Sequence, residues 1–155
     1  WRDPKKTLEA ATAMICMAHA IYFEARSEST AAQMAVGHVI LNRVDDPRYP
    51  DNICDVVTEG MRHESGQMKK HKCQFSFYCD GKPENIYEQY AYSKAEALAF
   101  AVVSNHQVYD LTDGATHYHA DYVSPTWAKR FSLTTCIDRH CFYRDGYFKS
   151  SGSIP

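Results

Sequence analysis

Thr7-Leu8-Glu9-Ala10-Ala11-Thr12-Ala13-Met14-Ile15-Cys16-Met17-Ala18-His19-Ala20-Ile21-Tyr22-Phe23-Glu24-Ala25-Arg26-Ser27-Glu28 is the stretch that decides how the chain reads. Its apolar side chains recur at Leu8, Ala11, Ile15, Ala18, Tyr22 and Ala25, in alternating steps of three and four, which is the stripe of an amphipathic helix. Ser27-Glu28-Ser29 interrupts the stripe. Thr30 followed by Gln33 then has the form of a capping box and predicts a second helix through Val36, Val39, Ile40 and Val44. Asp45-Asp46-Pro47 ends it, because proline disfavours helical geometry in the residue before it and donates no backbone hydrogen bond.

Outward from this pair, Asp51 to Glu59 holds one short predicted helix, and the polar, basic residues 60–72 read as an exposed loop. The aromatic run Cys73 to Cys79 predicts a short strand or extended edge closed by the turn Asp80-Gly81. A third helix is predicted between Tyr87 and Ser104, with Tyr90, Ala97, Leu98, Ala101 and Val102 inward. Residues 115–120 read as extended, and Phe131 to Ile137 with Cys141 to Tyr143 as a hairpin across Asp138-Arg139-His140. The expectation is a helix-rich α+β fold with a small irregular sheet, one domain over residues 1–155, its core at about 8–144 and a tail from 145.

The 155 residues are 45% hydrophobic and 23% charged, a globular rather than a disordered composition. With a net charge of −2 and scattered bases, no broad cationic face argues for nucleic acid or an anionic membrane. No apolar run reaches the roughly 18 to 20 residues of a membrane span. The opening Trp1-Arg2-Asp3-Pro4 shows no signal-peptide pattern and reads as a processed boundary. Six cysteines, with Cys73 near Cys79 and Cys136 near Cys141, suit local disulfides in an oxidising compartment. Cys16, among apolar residues, is expected to be a buried free thiol. No C-x-x-C pair, phosphate-cradling glycine loop, nucleophile elbow or His-Glu-x-x-His motif is present.

Glu24 closes the first helix one turn before Glu28. If the helix continues, both carboxylates point the same way. A carboxyl partly buried beside Tyr22 and Phe23 would have its charged form disfavoured, as a general acid requires. The alternative is a salt-bridged helix end, with Arg26 neutralising either acid. In Thr116-His117-Tyr118-His119, two histidines share one face of an extended segment. With His140 they would make a three-ligand zinc site, while hydrogen bonding to sugar hydroxyls is the competing use. Trp127, Phe142 and Tyr143 serve either the core or, if exposed in a cleft, stacking on sugar faces. Gln74-Phe75-Ser76 adds two polar groups around an aromatic ring.

In order, Ile21-Tyr22-Phe23-Glu24-Ala25-Arg26-Ser27-Glu28, Asn42-Arg43-Val44, Cys73-Gln74-Phe75-Ser76, Ala115-Thr116-His117-Tyr118, Pro125-Thr126-Trp127 and His140-Cys141-Phe142-Tyr143 resemble the landmarks of one family over Leu8 to Arg144. It is the cell wall hydrolase family of the spore-cortex-lytic enzymes SleB and CwlJ, especially its bacterial and phage branch with extra cysteines. The resemblance implies a fold similar to lysozyme and the lytic transglycosylases, with a catalytic glutamate at a helix end beside a groove, at Glu24. It further implies a substrate-binding set of Tyr22, Glu28, Gln74, Ser76, Thr116, His117, Tyr118, Trp127, His140 and Tyr143. Ser27 and Asp138 stand where that family usually has glycine.

The implied activity is cleavage of peptidoglycan between N-acetylmuramic acid and N-acetylglucosamine by a single glutamate, leaving 1,6-anhydro ends. The alternatives are a hydrolytic muramidase with a second acid, a zinc-dependent amidase, and a glycan-binding module without catalysis. The expected partners are glycan strands, met outside the cytoplasm by a monomer that needs no cofactor and no metal.

Overall fold

Helix α1 spans Pro4–Ala25 in the computed structural model, which describes residues 3–62, 68–73 and 88–145. Asp3 caps it, its side chain accepting from the Lys5 N–H at 3.0 Å. Every buried residue of α1 lies from Met17 onward, where α2 (Thr30–Val44), α3 (Ile53–Val57) and α4 (Gln89–Asn105) pack on it. The expected stripe therefore holds at Ala18, Tyr22 and Ala25 but not at its start, since Leu8 is 67% and Ile15 54% exposed. Cys16 sits at the change from exposed to covered helix and is not a free thiol. It is bonded to Cys54 of α3, a partner 38 residues away that spacing along the chain does not reveal.

The first helix ends at Ala25, and the Glu28 N–H returns to the Ala25 carbonyl at 2.9 Å. Ser29 rather than Thr30 caps α2, accepting from the Ala32 N–H at 3.2 Å, while Gln33 donates to the Glu28 carbonyl at 3.0 Å. The cap thus lies one residue earlier than the capping-box pattern indicates. Helix α2 is covered on two sides, which is why its buried residues run almost continuously from Ala32 to Arg43. Val36 and Ile40 join Met17, Ile21, Tyr22, Val56, Ala95 and Ala99 in one core. Ala35 and Val39 join Ala115 and Phe142 in the other.

Residues 60–72 are not all loop: β1 (Gly60–Arg62) and β2 (Met68–Cys73) pair antiparallel, Gly60 opposite Cys73. Backbone pairing made this ladder without the apolar alternation that marks a strand in sequence. Cys79, the expected partner of Cys73, and the turn Asp80-Gly81 lie outside the described residues. Helix α4 turns Ala95, Ala99 and Val102 inward, not Tyr90 and Ala97; Tyr90 is 87% exposed. It approaches α2 closely at Gly37, where an added Cβ would stand 3.0 Å from Val102 Cγ1.

Strands β3 (His117–Ala120), β4 (Ser132–Ile137) and β5 (His140–Arg144) form an antiparallel sheet in the order β3-β5-β4, and the predicted hairpin is present with a turn one residue shorter than expected, since His140 already belongs to β5. The Cys136–Cys141 disulfide joins directly opposed positions of that hairpin. Asp145, expected in the tail, is buried. Arg48 donates to both its oxygens at 2.6 and 2.8 Å and also to Asp46, which clamps the chain beyond β5 onto the end of α2.

Candidate active site

Asn42 and Arg43, in the last turn of α2, set the position of β3. The Asn42 amide donates to Asp110 Oδ2 at 2.8 Å and to the Ala115 carbonyl at 2.9 Å, and Arg43 Nε donates to the Thr116 carbonyl at 2.8 Å. The bonds to Ala115 and Thr116 are buried bonds to backbone carbonyls, so α2 fixes where the strand begins. Tyr118 is thereby set against both cores.

On the neighbouring element, Glu24 occupies the last turn of α1, half-buried. It is close enough to act on Tyr118: burial first, and then the Glu24 charge, push the Tyr118 hydroxyl well above its ordinary range, against the pull of Arg43. Tyr118 is accordingly a neutral hydroxyl at physiological pH, available to donate. His140 meets the Tyr118 ring edge-on with centroids 5.7 Å apart.

Glu28 does not share a helix face with Glu24, because α1 stops before it. Its carboxylate lies 3.8 Å from Arg139 Nη2 in the turn between β4 and β5. The same turn places the Asp138 carboxylate 3.3 Å from the Ser29 N–H. Asp138 has φ 52°, the left-handed conformation for which glycine is favoured, so the departure from the family's residue costs backbone strain and gains a tie to α2. Arg26 turns away from the Glu24–Glu28 pair, pairing with Glu88 at 3.2 Å and lying 4.9 Å over the Tyr22 ring.

The structure thus brings Glu24, Glu28, Tyr118 and His140 to the junction of α1, α2 and the sheet. Two expected substrate contacts are core residues instead. Tyr22 is 1% exposed, its hydroxyl accepting from the Glu88 N–H at 3.1 Å, and Thr116 is fully buried beside His117 Nδ1 at 3.0 Å. Gln74 and Ser76 lie outside the described residues.

The pleat divides the rest. Tyr118 and Ala120 stand opposite Phe142 and His140, whereas His117 and His119 stand opposite Tyr143 and Cys141. His117, His119 and Tyr143 therefore project from the other face, where Trp127 packs 5.2 to 5.7 Å from their rings. His119 Nε2 meets the Tyr143 hydroxyl at 2.9 Å. A zinc centre of His117, His119 and His140 is overturned, because successive positions along the strands send His140 to the opposite side from the other two.

Sequence reasoning missed two groups here. Arg43 was legible only as part of a landmark triplet; it is 5% exposed and stacks 5.0 Å from the Tyr49 ring. Glu59 carried no signal at all. Its Oε1 is buried without a hydrogen-bond partner among the described residues, and burial pushes its carboxyl up against the pull of Arg43.

Among known proteins, the spore cortex-lytic enzyme of Halalkalibacterium halodurans is 32% identical over 127 residues, covering 81% of this chain and 33% of that protein. The spore cortex-lytic enzyme of Bacillus subtilis is 28% identical over 127 residues, covering 81% and 35%. The chain spans about a third of the length of these curated relatives. The fold matches the catalytic domain of the Bacillus cereus SleB protein at a TM-score of 0.65 and 23% identity, covering 85% of this chain and 89% of that one. It matches the catalytic domain of the germination-specific lytic transglycosylase SleB from Bacillus anthracis at 0.65 and 24%, covering 85% and 93%. The expected α+β, lysozyme-like architecture is thus the observed one. The family model for Cell Wall Hydrolase matches residues 27–143, from just beyond Glu24 to the end of the sheet, and the chain belongs to that family.

Proposed function

We propose that this chain is a peptidoglycan lytic transglycosylase that cleaves between N-acetylmuramic acid and N-acetylglucosamine, with Glu24 moving the proton. The observation that supports it most is a half-buried carboxyl at a helix end whose charge reaches the buried, neutral Tyr118 hydroxyl. Protonated Glu24 gives its hydrogen to the oxygen leaving C1 of the muramic acid as that bond breaks and an oxocarbenium-like centre develops. The resulting carboxylate then accepts the proton of the same sugar's 6-hydroxyl, whose oxygen bonds to C1 and closes the anhydro ring. No second acid and no water are consumed. Tyr118 donates to the carboxylate while it is charged, and Glu28 and His140 line the approach. Gln74, Ser76, His117, Trp127 and Tyr143 are left for more distant sugar contacts.

The relatives' names support the substrate class, and the Cys16–Cys54 and Cys136–Cys141 disulfides suit action in an oxidising space outside the cytoplasm. None of the described helices is long and apolar enough to cross a membrane.

Mass spectrometry of sacculi digested by the protein tests the reading. Anhydro-muramic ends that disappear with Glu24→Gln support it, whereas reducing muramic ends overturn it in favour of hydrolysis. One observation favours that second reading: among the described residues Glu59 Oε1 is buried without a hydrogen-bond partner, within reach of the Arg43 charge. Under transglycosylation Glu59→Gln keeps turnover within about threefold, while a second catalytic acid predicts a loss of roughly a hundredfold or more.

A further inference from the structure

On the side of α2 turned to the end of α4, His38 and His106 point the same ring nitrogen at one another. His38 Nδ1 lies 2.9 Å from His106 Nδ1, and 3.8 Å from Asp110 Oδ1. One ligand atom from each of the three residues falls within 4.8 Å of the others. None of the three is used by the chemistry proposed for Glu24. We propose that His38, His106 and Asp110 bind a borderline d-block cation such as Zn(II), which staples α2 to the end of α4 and to the loop leading into β3.

The donor set decides the class of ion. Two imidazoles with one carboxylate suit zinc, cobalt or nickel, whereas calcium and magnesium take oxygen ligands. An ion about 2.0 to 2.1 Å from both nitrogens is compatible with their separation at an angle near 90°, and widening the pair by about 0.4 Å gives the tetrahedral angle.

The Asp110 side of the cluster is firmly held, while His38 Nε2 is buried with no hydrogen-bond partner among the described residues. The Asp110 carboxylate is fixed by Asn42 Nδ2, by the Thr112 N–H and hydroxyl, and by the Gly114 N–H, all at 2.8 to 2.9 Å. His106 Nε2 lies 3.7 Å from Asp45 Oδ2, beyond hydrogen-bond length but near enough for that charge to favour the proton on Nε2 and leave Nδ1 to ligate. His38 is 1% exposed, while the side chains of His106 and Asp110 keep 9% and 16%, so one edge remains open to water for the fourth position. The competing account is that the two rings merely share one proton.

The test is titration of chelator-treated, oxidised protein with ZnCl2 alone, read by calorimetry and by the thermal midpoint. Wild type is expected to take up one equivalent with a raised midpoint. His106→Gln is expected to bind roughly a hundredfold more weakly or worse, and Asp45→Asn about tenfold more weakly. Uptake by His106→Gln as tight as by wild type overturns the site and leaves the shared proton. Should His106→Gln misfold by circular dichroism, X-ray absorption of the Co(II)-loaded wild type decides. Scattering from two imidazoles supports the proposal, and oxygen-only coordination overturns it. Neither readout depends on glycan cleavage.

Discussion

The Asp138 carboxylate holds the Ser29 backbone N–H at 3.3 Å, so the sheet's hairpin turn is fastened to the residue that caps α2, 109 positions away in sequence. The same aspartate carries φ 52°. Asp138→Ala keeps the strain and loses the bond, and is expected to lower unfolding free energy by about 1 to 2 kcal/mol in urea. Asp138→Gly loses the bond but relieves the strain, and is expected to stay within about 1 kcal/mol of wild type. Equal losses for the two would show that the left-handed geometry contributes nothing.

Arg48 bridges Asp46 and Asp145, whose side chains are 0% and 9% exposed. Burial works to raise the Asp46 carboxyl, and the Arg48 hydrogen bonds outweigh it, leaving that group below its usual range. Arg48→Met takes the guanidinium away from two buried carboxylates and is expected to cost about 2 to 4 kcal/mol, the lower end reflecting the partial exposure of Arg48 itself. A chemical denaturation midpoint at pH 7 checks it, and a change under 0.5 kcal/mol, roughly the noise of a surface substitution, contradicts it.

His117 is held near a pKa of about 4, first by burial and then by the Arg43 charge, with Asp145 and Asp46 opposing and Arg48 adding to the depression. The folded value lies below that of the unfolded chain, so unfolding takes up a proton between about pH 6.5 and 4 and stability falls as pH drops through that window. Relative to His117→Phe, which has no proton to gain, wild type is expected to lose about 2 to 3 kcal/mol between pH 7 and 4.5. Parallel pH profiles for the two proteins would remove His117 as the cause.

Tyr118→Phe removes the hydroxyl on which the Glu24 charge acts and keeps the ring that packs on Phe142 at 5.5 Å. A hydrogen bond to a charged group contributes about 1.5 to 3 kcal/mol, so the rate of sacculus clearing is expected to fall roughly ten- to hundredfold with the thermal midpoint nearly unchanged. An unaltered rate would detach Tyr118 from the chemistry.

Periodicity made the helices legible, because a core-facing stripe leaves its period in the sequence whatever it packs against. The hairpin across Asp138-Arg139 was legible for the same local reason. Which part of α1 is covered was not, since Leu8 and Ile15 follow the same stripe as Tyr22 and differ only in having no element above them. Cys16 escaped because its partner lies on another helix, and β1 with β2 because polar residues can pair by backbone alone.

The site divides along the same line. By itself the sequence determined that Glu24 ends a helix and that His117 and His119 share a strand face, since each statement concerns neighbours a few residues apart. Only the tertiary structure decided that the Glu24 charge reaches Tyr118, that Arg26 turns to Glu88, and that His140 stands on the opposite face from the other two histidines. Those outcomes depend on where α2 anchors β3 through Asn42 and Arg43, and on strand register, which a single-residue slip would invert.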